Sequence, residues 1–167
     1  MKSILTVLFL VLGSFVLNAQ TSTESSETPL EGVWQLCIPT GDLKRDPQTG
    51  VIELDTTKLQ PAYFYKVFGN TGELTAMFIT PVLSLITISG TYEIVSSNQY
   101  IEHVNYHSNP DFANRDVVLD YIFISDGYLQ SSYKNDMGMV GLEIWKKLKQ
   151  GNPSVELKKL KDAGIIN

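Results

Sequence analysis

From Leu30 onward, apolar side chains recur at alternate positions and turn residues interrupt the pattern about every ten residues, the signature of an antiparallel sheet that closes or folds over. LEGVWQLCI (Leu30 to Ile38) alternates Trp34, Leu36 and Ile38 against Gln35 and Cys37. YFYKVF (Tyr63 to Phe68) and LTAMFIT (Leu74 to Thr80) flank GNTGE, whose Asn-Thr-Gly suits the positive φ of a tight reversal, so this pair predicts a hairpin. GTYEIV (Gly90 to Val95) and YIEHVNYH (Tyr100 to His107) predict a second around Ser96 to Gln99. DVVLDYIFI (Asp116 to Ile124) and YLQSSY (Tyr128 to Tyr133) predict a third, and MVGLEIWKKL (Met139 to Leu148) the last strand. Eight strands in hairpin order predict an all-β, up-and-down antiparallel barrel.

Two stretches fall outside the alternation. Pro39 to Pro61 is a polar connection too long for a hairpin loop, which makes it disordered or functional, a lid or rim. Asn152 to Gly164 carries an Asn cap, Pro at the first helical position and Gly past the end, and predicts a short C-terminal helix with Leu157 and Leu160 as its apolar stripe.

The N-terminus adds a compartment. MKSILTVLFLVLGSFVLNA (Met1 to Ala19) has one lysine, an apolar run and a small residue before Gln20, the form of a secretory signal peptide. Residues 20–29 read as a disordered leader, 30–148 as the barrel and 149–167 as the tail with its helix. The apolar run is short for a span of about 20 residues, and no later segment approaches that length. Cys37, the single cysteine, lies away from the cleavage point, so neither an acyl anchor there nor an internal disulfide is expected. The mature chain should be soluble and exported, periplasmic or extracellular.

Charge narrows the partners. Thr21 to Trp145 holds six basic and sixteen acidic residues, a formal −10, while Lys146 to Asn167 holds six lysines against Glu156 and Asp162. An acidic body argues against nucleic acid, which demands a cationic surface.

Gly32-Val33-Trp34 in the first strand resembles the Gly-x-Trp of lipocalin and fatty-acid-binding barrels, and Glu143 to Lys147 (EIWKK) is similar to their closing aromatic and basic motif. The ordered series GVWQL, FYKVFGNTGEL, ISGTYEI, YIEHV and EIWKKL resembles the secreted bacterial lipocalin-like domains of unknown function. The resemblance covers about Leu30 to Leu148 and implies an eight-stranded barrel around a small cavity, with no particular ligand. Lys147 stands where such proteins more often carry arginine, which puts planar guanidinium packing on Trp34 in question.

The chemistry-bearing residues are few. His103 and His107, the only histidines, share a strand face but lie roughly 13 Å apart at about 3.3 Å per residue, too far to chelate one metal ion. No metal or cofactor is expected. Glu102 faces away from both, and which side is interior depends on the hairpin register. Pairing Val95 with Tyr100 sets Glu93 opposite Glu102, a like-charge pair. A one-residue bulge instead pairs Glu93 with His103 outside and brings Glu102 beside Ile94 and Tyr92 inside, and that register is the expected one. There is no Gly-x-Ser-x-Gly, and Cys37 has no histidine nearby in sequence. Glu102 and Glu143 could meet across a barrel, which leaves paired-carboxylate chemistry open.

Tyrosine and tryptophan, concentrated in the strands, can wall a cavity while their polar tips orient a ligand. The sequence therefore points to a non-enzymatic barrel that holds a small apolar or amphipathic molecule. Its candidate contacts are Trp34, Phe64, Phe78, Tyr92, Ile94, Tyr121 and Trp145, with Glu102 or Lys147 to select a polar head; Trp34 is also the ring expected to plug the closed end. Two alternatives are a filled barrel acting through its surface as a protein-interaction or inhibitor module, and a hydrolase or isomerase using Glu102.

Overall fold

The computed structural model describes residues 28–166 apart from 54, 126 and 135–137; the expected signal peptide and most of the expected leader lie outside the described residues. The strands are β1 (Gly32–Pro39), β2 (Lys44–Arg45), β3 (Ile52–Glu53), β4 (Leu59–Phe68), β5 (Glu73–Ile79), β6 (Ser84–Ser96), β7 (Gln99–His107), β8 (Arg115–Ser125), β9 (Tyr128–Lys134) and β10 (Val140–Lys147). Eight of them close in the order β1-β10-β9-β8-β7-β6-β5-β4, and β2 with β3 forms a separate two-stranded ribbon. The barrel is thus the up-and-down one that the alternation predicts. Every neighbouring pair is antiparallel, and β1 seals it by pairing Trp34 with Lys147 on one side and with Lys66 on the other.

One end is plugged. Leu30, Trp34, Phe68, Leu74, Tyr92, Tyr100, Leu119, Tyr121, Leu129 and Trp145 form the buried core. Its rings meet edge to face, Phe68 with Tyr92 at 4.9 Å and with Tyr100 at 5.6 Å, and Tyr100 with Tyr121 at 5.7 Å. That geometry sets ring edges against π faces and adds to the gain from area burial. The Trp34 indole N–H donates to the Leu30 carbonyl at 2.7 Å, and the Tyr92 hydroxyl donates to the Gly69 carbonyl at 2.8 Å, so both of these polar tips are satisfied.

The Lys147 ammonium sits 5.5 Å from the Trp34 ring centre, within reach of its π face. Gly32, at φ 122°, makes the space for it: a Cβ there would stand 3.0 Å from Lys147 Cε. Gly90 is constrained by backbone, since a Cβ would lie 2.0 Å from the His103 carbonyl oxygen where β6 shifts register against β7.

The β6–β7 hairpin follows neither expected pairing. Tyr92 pairs with Glu102, Glu93 with Ile101 and Ile94 with Tyr100, with the irregularity between Ile94 and Ser96. The facing is nonetheless that of the bulged register. Glu102 is buried inside, while His103 and Glu93 share the outer surface, 3.8 Å apart. β6 also begins earlier than its alternation suggests, because VLSLITI carries apolar residues on both faces. Val82, Leu83, Leu85 and Ile86 are all exposed on the tip of the β5–β6 hairpin, Val82 at 93%.

The long connection lies against the outside of the barrel at Ile52. Ile52 is buried beside Cys37 of β1 and Ile144 of β10, and its N–H donates to Gln130 Oε1 at 3.1 Å. Burial there pushes the Cys37 thiol pKa up, against a smaller opposing effect of Lys146. The helix α1 (Pro153–Asp162) is capped by Asn152, whose side chain accepts from the Ser154 N–H, and it buries none of its residues. No helix among the described residues is long and apolar enough to cross a membrane.

Candidate ligand-binding cavity

Above the plug the barrel is hollow. A cavity of about 920 Å³, which takes in the open half of the interior and also borders the outward β8 residues Asp116, Val118 and Asp120, opens at the end that carries the β7–β8 and β9–β10 connections, with His107, Phe112, Lys134 and Val140 at its mouth. Its upper wall comes from Phe64, Ile88, Val104, Val117 and Tyr133. The reason is visible strand by strand. Positions four apart on a strand share a face. Along β6, β7 and β8 a tyrosine at the plugged end is followed at that spacing by a shorter aliphatic side chain: Tyr92 and Ile88, Tyr100 and Val104, Tyr121 and Val117. Large rings fill one half of the interior and smaller side chains leave the other open.

A charged layer divides the two halves. Lys66 of β4 and Glu102 of β7 point inward and are each 5% exposed at the side chain, with Lys66 Nζ donating to Glu102 Oε1 at 2.7 Å. Glu143 of β10 brings Oε2 to 3.9 Å from the same ammonium and is 26% exposed. The Tyr100 hydroxyl donates upward from the plug to Glu102 Oε1 at 3.2 Å. Trp145 Nε1 donates to Glu143 Oε2 at 3.0 Å and to Ser131 Oγ at 3.2 Å, and the Ser131 hydroxyl also donates to that carboxylate at 3.2 Å. The Lys66 ammonium stands 4.8 Å from the Trp145 ring centre.

The electrostatics of the layer are strongly coupled. Burial works against a charged Lys66, but the Glu102 carboxylate, with Tyr100 and Glu143, outweighs it and holds the lysine pKa above its ordinary value. Tyr100 is pushed well above an ordinary tyrosine, first by burial, with Lys66 opposing and Glu102 reinforcing. Its hydroxyl therefore remains a donor at physiological pH. Burial alone raises Tyr121.

Of the residues singled out from the sequence, Phe64, Glu102 and Trp145 line the cavity. Trp34, Tyr92 and Tyr121 belong to the plug, and Ile94 packs against it. Phe78 pairs with Phe64 across β4 and β5, and Lys147 sits against Trp34 at the plugged end. Glu102 and Glu143 do approach a common point, the Lys66 ammonium. Lys66 itself, together with Ile88, Val104, Val117 and Tyr133, was not anticipated. Its signal lay in the alternation, since Phe64, Lys66 and Phe68 occupy one face of β4 and a cation between two inward rings must find a counter-charge inside.

The histidines stand apart from this layer. His103 Nδ1 lies 2.7 Å from Asp116 Oδ1 on the outer surface, and His107 Nδ1 bonds the Asn109 backbone at the mouth. Among the described residues, no three His, Cys, Asp or Glu side chains are grouped to hold a metal ion. Among the described residues, the connection from Pro39 to Pro61 supplies none of those that line the cavity.

A closed eight-stranded antiparallel barrel with one plugged end and one hollow end defines the class of this protein. The chain matches the domain of unknown function DUF4488 over residues 29–154, most of its length, and belongs to that family. No curated protein matches it.

Proposed function

We propose that the protein is an exported binding barrel, lipocalin-like in the arrangement of its closing motif, that takes up a small apolar or amphipathic molecule in the open half of its interior. The observation that carries this reading is the cavity of about 920 Å³, walled by aliphatic and aromatic side chains and floored by the Lys66, Glu102 and Glu143 layer. A volume of this order suits a small-molecule site, and apolar walls with a few convergent polar groups are the usual composition of one. Burial of the ligand's apolar part would supply affinity at about 25 cal/mol per Å², and the charged layer would fix its orientation. The signal-like run from Met1 to Ala19 supports export, which intact-mass measurement of the secreted protein would check at Gln20.

Tryptophan emission tests the binding directly, because Trp145 lines the cavity and Trp34 does not. Titration with fatty acids, retinoids, sterols and long-chain amines should quench or shift emission for at least one member at micromolar concentration, equivalent to about −8 kcal/mol. The response should persist in Trp34→Phe and disappear in Trp145→Phe. A panel that changes neither signal would sink the reading.

The surface-module alternative draws on one observation, the run of exposed apolar residues Val82, Leu83, Leu85 and Ile86 on the β5–β6 tip. Catalysis through Glu102 gains less support, since that carboxylate is committed to Lys66 and Tyr100.

A further inference from the structure

The floor of the cavity has a sign. It contains one ammonium, Lys66, and two carboxylates, Glu102 and Glu143, and the three are not equally accessible. All three line the cavity, but Lys66 and Glu102 are each 5% exposed and hydrogen-bonded to each other, whereas Glu143, 3.9 Å from the ammonium, is 26% exposed. The donors that reach Glu143, Trp145 Nε1 and the Ser131 hydroxyl, are neutral and both go to Oε2. Its Oε1 takes no hydrogen bond from any described residue. At the floor the more exposed group is therefore an acceptor, Glu143, and not the ammonium.

We propose that the ligand is an amphipathic amine, a hydrocarbon whose protonated amino head sits against the Glu143 carboxylate. This rests on the binding role proposed above and assigns the chemistry of its polar end. A carboxylate head would make three carboxylates around one ammonium in a poorly hydrated site, and like charges crowded there repel strongly. An ammonium head balances the layer at two against two. The aromatic faces beside it also suit a cation: Phe64 lies 6.4 Å from Trp145, centre to centre, and Trp145 already receives the Lys66 ammonium on its face. Arg115 and Lys134 line the cavity nearer its mouth, away from the floor where the polar head comes to rest. Ile88, Val104 and Val117 would enclose the hydrocarbon.

The test compares three probes of one chain length at neutral pH and below their micelle concentrations: dodecylamine, dodecanol and dodecanoate, each titrated calorimetrically into the full mature chain. The amine should bind at least about ten-fold tighter than the carboxylate, with the alcohol between them, as expected where charge complementarity selects the partner. Glu143→Gln should remove most of that advantage while leaving the alcohol's affinity within about two-fold, and Val104→Trp, which fills the cavity, should abolish amine binding and so exclude adsorption to the acidic exterior. Equal or tighter binding of the carboxylate by the unaltered protein overturns the assignment and leaves the binding role standing. So does an amine preference that survives in Glu143→Gln. Failure of all three probes together with the wider panel overturns the binding role, and this assignment with it.

Discussion

The two halves of the barrel are built from the same strands and differ in what each strand places four residues further along. At the plugged end Tyr92, Tyr100 and Tyr121 are buried with Phe68 and Trp34; at the open end Ile88, Val104 and Val117 take the equivalent inward positions. Backbone closure is common to both halves, so closure alone does not decide whether a barrel is solid or hollow. Side-chain volume on three consecutive strands does. The charged layer lies at the boundary, where the Tyr100 hydroxyl and the Trp145 indole give the plug a polar upper surface.

The comparison predicts unequal costs for removing rings from the two halves. Trp34→Ala should destabilise the fold by about 3–5 kcal/mol, the range for emptying a close-packed aromatic site. Phe64→Ala should cost about 1–2 kcal/mol, because Phe64 is half-buried and borders space that is already open. Chemical denaturation of both variants measures the difference. Equal losses would mean that the open half is as tightly packed in solution as the plug.

The boundary layer itself should respond asymmetrically. Lys66→Met leaves Glu102 buried without its counter-ion and should cost about 3–5 kcal/mol, whereas Lys66→Met combined with Glu102→Leu removes both charges and should recover most of that loss. A double variant as unstable as the single one would show that hydrogen bonds of the layer to Tyr100 and Glu143, not charge pairing, hold it.

Much of this architecture was legible in the sequence, and what escaped did so for physical reasons. Period-two alternation and turn residues reveal strands, so the eight-stranded order, the β4–β5 hairpin and the capped helix could be read directly. Alternation says which residues point inward but not how far along the axis they lie. Tyr92 and Tyr121 are inward, yet whether an inward ring plugs or lines depends on its height, which is set by strand stagger. The β6–β7 register turned on an irregularity near Val95, which sequence could suggest but not locate. The connection from Pro39 to Pro61 reads as a lid or rim because it is long and polar. Its buried anchor Ile52 gains meaning only once Cys37 and Ile144 are known to share the outer wall. Lys66 was overlooked because strand reading rewards apolar alternation, although the same alternation placed it between Phe64 and Phe68.

The smallest expected effect lies on the outer wall, at His103. Its imidazole pKa is raised above the 6.5 of an ordinary histidine, chiefly by the hydrogen bond to Asp116 and then by the charges of Asp116 and Glu93. A raised folded-state pKa means that the protonated form is preferred in the fold. The contribution to stability is therefore fully present below the unfolded-state pKa, and it is lost as pH rises through the higher folded-state value. Because the pair is exposed, the change should be slight and should shrink as salt is added. A proton NMR titration, with the His103 signal identified by its loss in His103→Gln, should show a midpoint above 6.5 that falls in Asp116→Ala. Ligand affinity in His103→Gln should match that of the unaltered chain, since His103 projects from the outside of β7 and takes no part in lining the cavity. An affinity altered by His103→Gln would instead connect the outer wall to the open half, and the separation between the two surfaces of that strand would fail.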